Sequence, residues 1–187
     1  MTPATEAFDA VRNALVRSQV RYAVGGSWAS MAHGEVRNTN GVVILVDFTL
    51  ASLDAFLQNL PATFVVDPDH ARESIRLGRS FNAIYVPAVY KFDFFPARGS
   101  ALGIQPLDRA KPLAGTGLSS EPVPFVSPED ILLAKLHWIR LGGGLSEVQW
   151  RDVAGIVNNN RATLDRDYLQ RSAATLNLLP LLDRALA

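Results

Sequence analysis

The pattern of hydrophobic and polar positions predicts helices alternating with strands in the first half of the chain and helices alone in the last third. Phe8, Val11 and Leu15 recur at helical spacing, which predicts an amphipathic N-terminal helix. The continuous β-branched and apolar run Val42–Val46 is typical of a strand buried on both faces. The further elements predicted from similar patterns are strands over Val20–Val24, Thr63–Val66, Phe81–Val86 and Val89–Phe95, and helices over Ser27–His33, Leu50–Leu60 and His70–Leu77.

The last third of the chain has clear helix start signals. Ser127 precedes Pro128 and two acids, which predicts an N-cap and a helix that reaches about Leu141. Ser146 with Gln149 predicts the start of a second helix, and Asp165 that of a third. The preceding segment is rich in Gly, Pro and Ser. We therefore predict an α/β core over 1–96, a loop-rich connection over 97–126, and a helical region over 127–187 packed on the core.

Composition narrows the classes of function. Hydrophobic residues make up 48% of the 187 residues, enough for a substantial core. The formal net charge is zero, which argues against binding nucleic acid by bulk electrostatics. The absence of cysteine excludes disulfides and thiolate chemistry. No apolar run approaches a membrane span and the N-terminus lacks signal-peptide features, so the expected location is the cytoplasm.

The pair Gly25-Gly26 between a predicted strand and a predicted helix is the first candidate for chemistry. Two glycines let the backbone approach a phosphate closely, and the N-terminus of the helix adds free N–H groups and a positive dipole end. A tight strand-to-helix turn explains the same pair without any ligand. The glycines alone therefore do not decide between the two interpretations.

A longer stretch, Tyr22–Thr39, resembles the opening of the nucleotidyltransferase superfamily, in its bacterial branch of AbiEii-like and small stand-alone proteins. That opening has a Gly-Gly turn, a short helix that ends in His-Gly, and Arg-x-Thr before the catalytic strand. The matching residues in this chain are Gly25-Gly26, His33-Gly34 and Arg37-Asn38-Thr39. Later segments resemble the family in the same order, and they are Phe81–Ile84, Lys91–Phe95, Ser127–Leu136, Ser146–Asp152 and Leu164–Leu169.

The resemblance implies the nucleotidyltransferase fold, an α/β (α+β) fold in which a small mixed sheet is flanked by helices. It also implies a strand with Asp-x-Asp after Arg-x-Thr, and a third Asp on a later strand. In the family these carboxylates hold two Mg²⁺ ions that bind the triphosphate and activate the attacking hydroxyl. Here the first two positions carry Gly41 and Val43, and only Asp93 remains at the third.

Other groups substitute poorly for the missing pair. Asp47 shares a strand face with Val43 but lies four residues further on, about 13 Å away at the usual rise of a strand. Glu35 is nearer in the chain and together with Asp93 would form at best a poor single-metal site. Asn40 offers only a neutral amide oxygen. Loss of the pair removes charge stabilisation that supplies several kcal/mol of the barrier reduction, so ordinary nucleotidyl transfer should fall by orders of magnitude.

Five residues are candidates for nucleotide binding, and each has a structural alternative. They are Gly25, Gly26, Ser27, Arg37 and Lys135. Arg37 either contacts phosphate or pairs with an acid of the fold. Lys135 lies in an apolar helical run and either reaches a cleft between the two halves or extends along the surface to solvent.

His33 and Asp93 have alternatives of the same kind. His33 lies beside the nucleotide or bonds to backbone at a turn. Asp93 is a residual metal ligand or pairs with Lys91 on the same strand face. The sequence alone leaves all these alternatives open.

Three functions fit these observations. The first is a degenerate nucleotidyltransferase that binds a nucleoside triphosphate or a protein partner without catalysing transfer. The second is an active Mg²⁺-dependent nucleotidyltransferase with an altered metal site, as the resemblance implies for members of toxin–antitoxin or phage-defence modules. The third is a non-enzymatic interaction module. Mg²⁺ is the only cofactor implied, and only if a residual metal site exists.

Overall fold

The computed structural model describes residues 2–187, which form a seven-stranded mixed sheet with helices on both faces. The strands are β1 (Tyr22–Val24), β2 (Gly41–Val46), β3 (Phe64–Val65), β4 (Phe81–Tyr85), β5 (Tyr90–Pro96), β6 (Lys111–Leu113) and β7 (Val123–Phe125). The helices are α1 (Pro3–Arg17), α2 (Gly26–His33), α3 (Leu50–Asn59), α4 (Pro68–Arg76), α5 (Gln105–Asp108), α6 (Pro128–Leu141), α7 (Glu147–Asn160), α8 (Arg166–Thr175) and α9 (Leu179–Leu186). This architecture confirms the predicted fold class.

Local signals in the sequence start the C-terminal helices. The Ser127 hydroxyl accepts a hydrogen bond from the Asp130 N–H, and Ser146 and Asp165 cap α7 and α8 in the same way. Each side chain satisfies a backbone donor that has no partner within its helix. The three predicted caps are therefore confirmed.

The strand order is β3-β4-β5-β2-β1-β7-β6. β2 runs parallel to β5, and β1 runs parallel to β7, whereas the other neighbours are antiparallel. In the β2–β5 pair, Gly41 lies opposite Lys91 and Val43 lies opposite Asp93. The register thus brings together the three positions at which the resemblance implies carboxylates.

The two faces of the central strands differ in burial. Val42, Ile44 and Phe92 point into a core that is fully closed to solvent, and rings from β4, β5 and α3 pack against one another there. The opposite face, which carries Val43 and Asp93, is only half-buried. Alternation of side chains along a strand makes this division sharp.

The segment 97–126 differs from the predicted loop-rich connection. It contains α5, β6 and β7, and β7 pairs with β1 and extends the sheet beyond it. Both strands have three residues and a central proline, Pro112 or Pro124, so neither shows a pattern that predicts a strand. Their pairing depends on an edge that β1 offers only in the folded sheet.

Candidate functional site

The Gly25-Gly26 turn leads from β1 directly into α2 and packs on the half-buried face of the sheet. Gly26 adopts φ +56°, and a Cβ atom at this position would lie 2.6 Å from the Val43 Cγ2 atom. The Gly25 N–H donates to the Val43 carbonyl at 2.9 Å. Glycine is required at position 26 because both the backbone conformation and the contact with Val43 exclude a side chain.

The second feature of this turn is the set of backbone N–H groups that begin α2. Gly25 is the N-cap and provides no side-chain hydrogen bond, and the N–H groups of residues 26–28 find no partner within residues 2–187. Unpaired donors and the positive end of the helix dipole favour an anion at this point. The start of α2 is therefore a candidate anion site, and a phosphate there stays a prediction.

Asp93 lies beside Val43 on this face and is paired with Lys91. The Lys91 Nζ atom is 2.8 Å from Asp93 Oδ1, and the side chains are 51% and 28% exposed. Of the two interpretations of Asp93, the structure has the ion pair with Lys91. Gly41 and Val43 provide no side-chain oxygen next to it.

The residues do not fit a magnesium centre. Within residues 2–187 there is no group of three or more Asp, Glu, His or Cys side chains that could hold a metal ion. Glu35 packs against the backbone of α7, with its Cγ atom 3.2 Å from where a Cβ on Gly155 would lie. Asp47 is held in a bidentate ion pair with Arg98. Mg²⁺ needs several oxygen ligands in near-octahedral geometry, and Asp93 supplies the one carboxylate at the expected positions.

A buried ionic cluster joins the loop after α2 to α6 and α7. Asp152 on α7 accepts from Arg37 Nε at 3.0 Å, from Arg37 Nη2 at 3.2 Å and from Lys135 Nζ at 2.7 Å. The Asp152 and Lys135 side chains are 3% and 6% exposed, and that of Arg37 is 26% exposed. Burial opposes ionisation of Asp152, but the hydrogen bonds and charges of Arg37 and Lys135 outweigh it and lower the pKa of Asp152.

The cluster places Arg37 at the start of α2. Its Nη2 atom donates to the Ser27 hydroxyl at 2.6 Å, and its Nη1 atom donates to the Asn38 carbonyl. Of the residues predicted for the site, only Arg37 lines the neighbouring cavity of about 620 Å³ between α2 and residues 113–116. Arg37 thus pairs with an acid of the fold and remains accessible from one side.

One of the two interpretations of Lys135 had its side chain extending along the surface to solvent. The structure does not show this, because the side chain is buried. Its ammonium is buried and held by Asp152 Oδ2, and Arg37 binds both oxygens of the same carboxylate. Asp152 lies in the segment Ser146–Asp152 that resembles the family, but the sequence does not single it out as a site residue. The signal that identifies it is an acid beside Val153 and Ile156 on the buried face of α7, where a carboxylate requires a partner.

His33 bonds to backbone at a turn, as the structural alternative proposed. Its Nε2 atom lies 2.8 Å from the Val126 carbonyl. Burial lowers the pKa of His33, although the bond to Val126 and the charge of Glu129 act in the opposite direction. Because a carbonyl oxygen only accepts, Nε2 is the donor in this bond.

Comparison with known proteins bears on the fold. No family model matches the chain, and no curated protein matches its sequence. Several solved structures resemble it over almost the whole length, among them the following two. The antibiotic-resistance factor ANT(2″)-Ia superposes with a TM-score of 0.57 at 15% identity, covering 96% of this chain and 95% of that one. A nucleotidyltransferase-like protein from Paracoccidioides brasiliensis superposes with a TM-score of 0.57 at 17% identity, covering 98% of this chain and 91% of that one. The chain has the nucleotidyltransferase fold.

Within this fold, the features described above occupy one region. Gly26 packs on Val43, and Val43 lies opposite Asp93 in the β2–β5 pair. Asp93 pairs with Lys91, and Arg37 binds Ser27 at the beginning of α2. Identities of 12–17% establish the architecture only. No helix within residues 2–187 is long and apolar enough to cross a membrane.

Proposed function

We propose that this protein binds a nucleoside triphosphate at the start of α2 and on the adjoining face of the sheet, without catalysing nucleotidyl transfer. The observation that carries the proposal is the contrast between two halves of the site. The donors for a phosphate are retained at the Gly25-Gly26 turn, whereas Gly41 and Val43 stand where carboxylates for the metals are implied. A site of this kind keeps affinity and loses the electrostatic stabilisation of the transition state.

The phosphate-binding half combines helix and side-chain donors. The free N–H groups of residues 26–28 point from the beginning of α2, and the Arg37 guanidinium is held beside them through Ser27. Asp152 holds Arg37 in this position, and Lys135 binds the same carboxylate; both Asp152 and Lys135 are buried and do not touch the ligand directly. Arg37 then offers a charged donor where phosphate binding at a helix N-terminus needs one.

The fold likeness supports a nucleotide as the ligand. One structure of ANT(2″)-Ia, which superposes with a TM-score of 0.54 at 12% identity, was solved in complex with adenylyl-2″-tobramycin. We propose that a nucleotide occupies the equivalent side of this fold here. Placement in the AbiEii-like branch, and a role in a toxin–antitoxin or phage-defence module, remain predictions from the resemblance.

The proposal is tested by isothermal titration of ATP, GTP, CTP and UTP, each with Mg²⁺ and with EDTA, and by an assay for released pyrophosphate. We expect at least one nucleotide to bind in both conditions and no pyrophosphate to appear. Binding that requires Mg²⁺, together with pyrophosphate release, would indicate the active enzyme with an altered metal site. Absence of binding would leave the interaction module, and the search would turn to protein partners.

A pair of serine substitutions locates the site. Ser27→Asp introduces a carboxylate at the start of α2, where it can pair with Arg37 and repel a phosphate. Ser146→Asp introduces the same charge at the start of α7, where aspartate is an equally good N-cap. We expect the first variant to lose nucleotide binding and the second to retain it. Equal affinities of the two variants would place the nucleotide elsewhere.

A further inference from the structure

The ion pair of Lys91 with Asp93 lies on the half-buried face of the sheet, at the positions where the resemblance implies carboxylates that hold metal ions. Lys91 is the register partner of Gly41, and Asp93 is the register partner of Val43. The Lys91 ammonium is 2.8 Å from the Asp93 carboxylate, and half of the lysine side chain is exposed. A fixed positive charge therefore lies among the three positions at which carboxylates are implied.

The strand pairing prevents the missing acid from being restored at position 41. A Cβ atom on Gly41 would lie 2.8 Å from the Lys91 carbonyl oxygen, closer than real Cβ atoms approach backbone. Any side chain there, aspartate included, would force β2 and β5 apart. Gly41 thus belongs to a close approach of the two strands, and the first carboxylate cannot return without a backbone shift.

Lys91 also works against a metal at the second and third positions. A divalent ion at Asp93 would have to displace the ammonium from Oδ1 or lie beside it, and like charges at this distance repel strongly. The side chain of Val43 offers no oxygen to offset that cost. These residues therefore do not fit a magnesium centre for two reasons: they provide too few oxygen ligands, and they place a positive charge beside the carboxylate that remains.

We infer that the Lys91 ammonium supplies the positive charge that metal ions supply elsewhere in this fold, so that polyphosphate binding is independent of divalent ions and depends on Lys91. An ammonium has three donor hydrogens, and Asp93 takes one of them. The remaining donors have no protein partner within residues 2–187, and they lie on the strand face that carries Asp93, the register partner of Val43, against which Gly26 packs. This inference rests on the proposed function for its ligand, but its statement about metal stands independently.

The metal half of the inference is tested on the protein without nucleotide. Mn²⁺, a hard divalent ion that like Mg²⁺ prefers oxygen ligands, is titrated and the free ion followed by electron paramagnetic resonance. We expect no saturable binding to the wild type, and saturable binding to the double variant Val43→Asp, Lys91→Met. The matched control, Val43→Asn with Lys91→Met, has the same shape without the second carboxylate and should not bind. Saturable binding to the wild type that is lost in Asp93→Asn would overturn the inference.

The phosphate half is tested with ATP and inorganic triphosphate in EDTA. We expect Lys91→Met to weaken both ligands by about tenfold or more, and Lys91→Arg to restore much of the affinity. Lys111→Met, at an exposed lysine on β6, is the control and should leave both affinities unchanged. Wild-type affinity in Lys91→Met would sink the inference while leaving the proposed function intact. If the wild type binds neither ligand, the proposed function and the phosphate half fail together, and the Mn²⁺ titration still decides the metal half.

Discussion

At the scale of single residues, Asp152 is the buried carboxylate that neutralises charge from both Arg37 and Lys135. It is almost fully buried, Arg37 binds both of its carboxylate oxygens, and Lys135 also binds Oδ2. One carboxylate between two cations leaves a net positive charge in a region of low dielectric constant. Removing the carboxylate would leave both cations without a counter-charge, which costs more than the net contribution of the intact pair.

We therefore predict that Asp152→Asn lowers the free energy of unfolding by about 3–5 kcal/mol, the usual effect of breaking a buried ion pair. Urea denaturation followed by circular dichroism measures the change. Asp54→Asn is the control, because the pair of Asp54 with Arg72 is exposed to solvent and its loss should change stability far less. Similar losses in the two variants would show that Asp152 does not hold the cluster together.

The contacts of Asp152 and Asp93 differ in how far they can be predicted from the sequence. Lys135 stood out as a charge in an apolar helical run, but its partner was not identified. The contact between Arg37 and Asp152 spans 115 positions of the chain. By contrast, Lys91 and Asp93 are two residues apart on one strand, and their pairing was one of the stated alternatives.

At the scale of elements, α7 crosses closely over the C-terminal end of α2. A Cβ atom on Gly34 would lie 2.8 Å from the Ser30 carbonyl and 3.0 Å from the N atom of Ile156. The Asn159 and Asn160 side chains donate to the carbonyls of Gly34 and His33. Helix α7 ends with this asparagine run at Asn160, and the two side chains satisfy carbonyls at the end of α2 that have no partner within that helix.

We predict that Gly34→Ala lowers the free energy of unfolding by about 1–3 kcal/mol, because the added methyl group must separate two backbones. Thermal and urea denaturation measure the loss. Gly142→Ala serves as the comparison, since a Cβ there would lie 3.3 Å from one carbonyl at the exposed end of α6. The element-scale interpretation requires the Gly34 variant to lose clearly more stability than the Gly142 variant. An equal or smaller loss would contradict a tight crossing.

At the scale of the whole molecule, the sheet and the core extend across the predicted boundaries at residues 96 and 126. β7 pairs with β1, and the buried residues Phe125, Leu132 and Ile156 belong to the same apolar cluster as Val24 and Ile44. Helices α6 and α7 therefore close the core that the first half of the chain begins. The predicted division at residues 96 and 126 describes the order of elements along the chain.

We predict that a fragment of residues 1–96 does not fold cooperatively by itself. It would expose the β1 edge that β7 covers and the apolar residues that pack under α6 and α7. Circular dichroism and urea denaturation of the fragment, compared with the full chain, make the test. A sharp transition in the fragment would establish an autonomous N-terminal core and support the predicted division.

The sequence by itself determined the features that are encoded within a few residues. The caps at Ser127, Ser146 and Asp165, the buried run of β2 and the tight turn at Gly25-Gly26 depend on local hydrogen bonds and periodicity, and all were predicted. The same holds for the absence of side-chain oxygens at Gly41 and Val43.

Only the tertiary structure decided the features that join distant segments. Strands β6 and β7 exist because β1 offers an edge, and Asp152 meets Arg37 and Lys135 because α6 and α7 pack beside α2. Short proline-containing strands and single buried charges carry no local pattern strong enough to predict a partner. These strands and ion pairs are stabilised by groups that are far away in the sequence, so their contacts form only once the chain has folded.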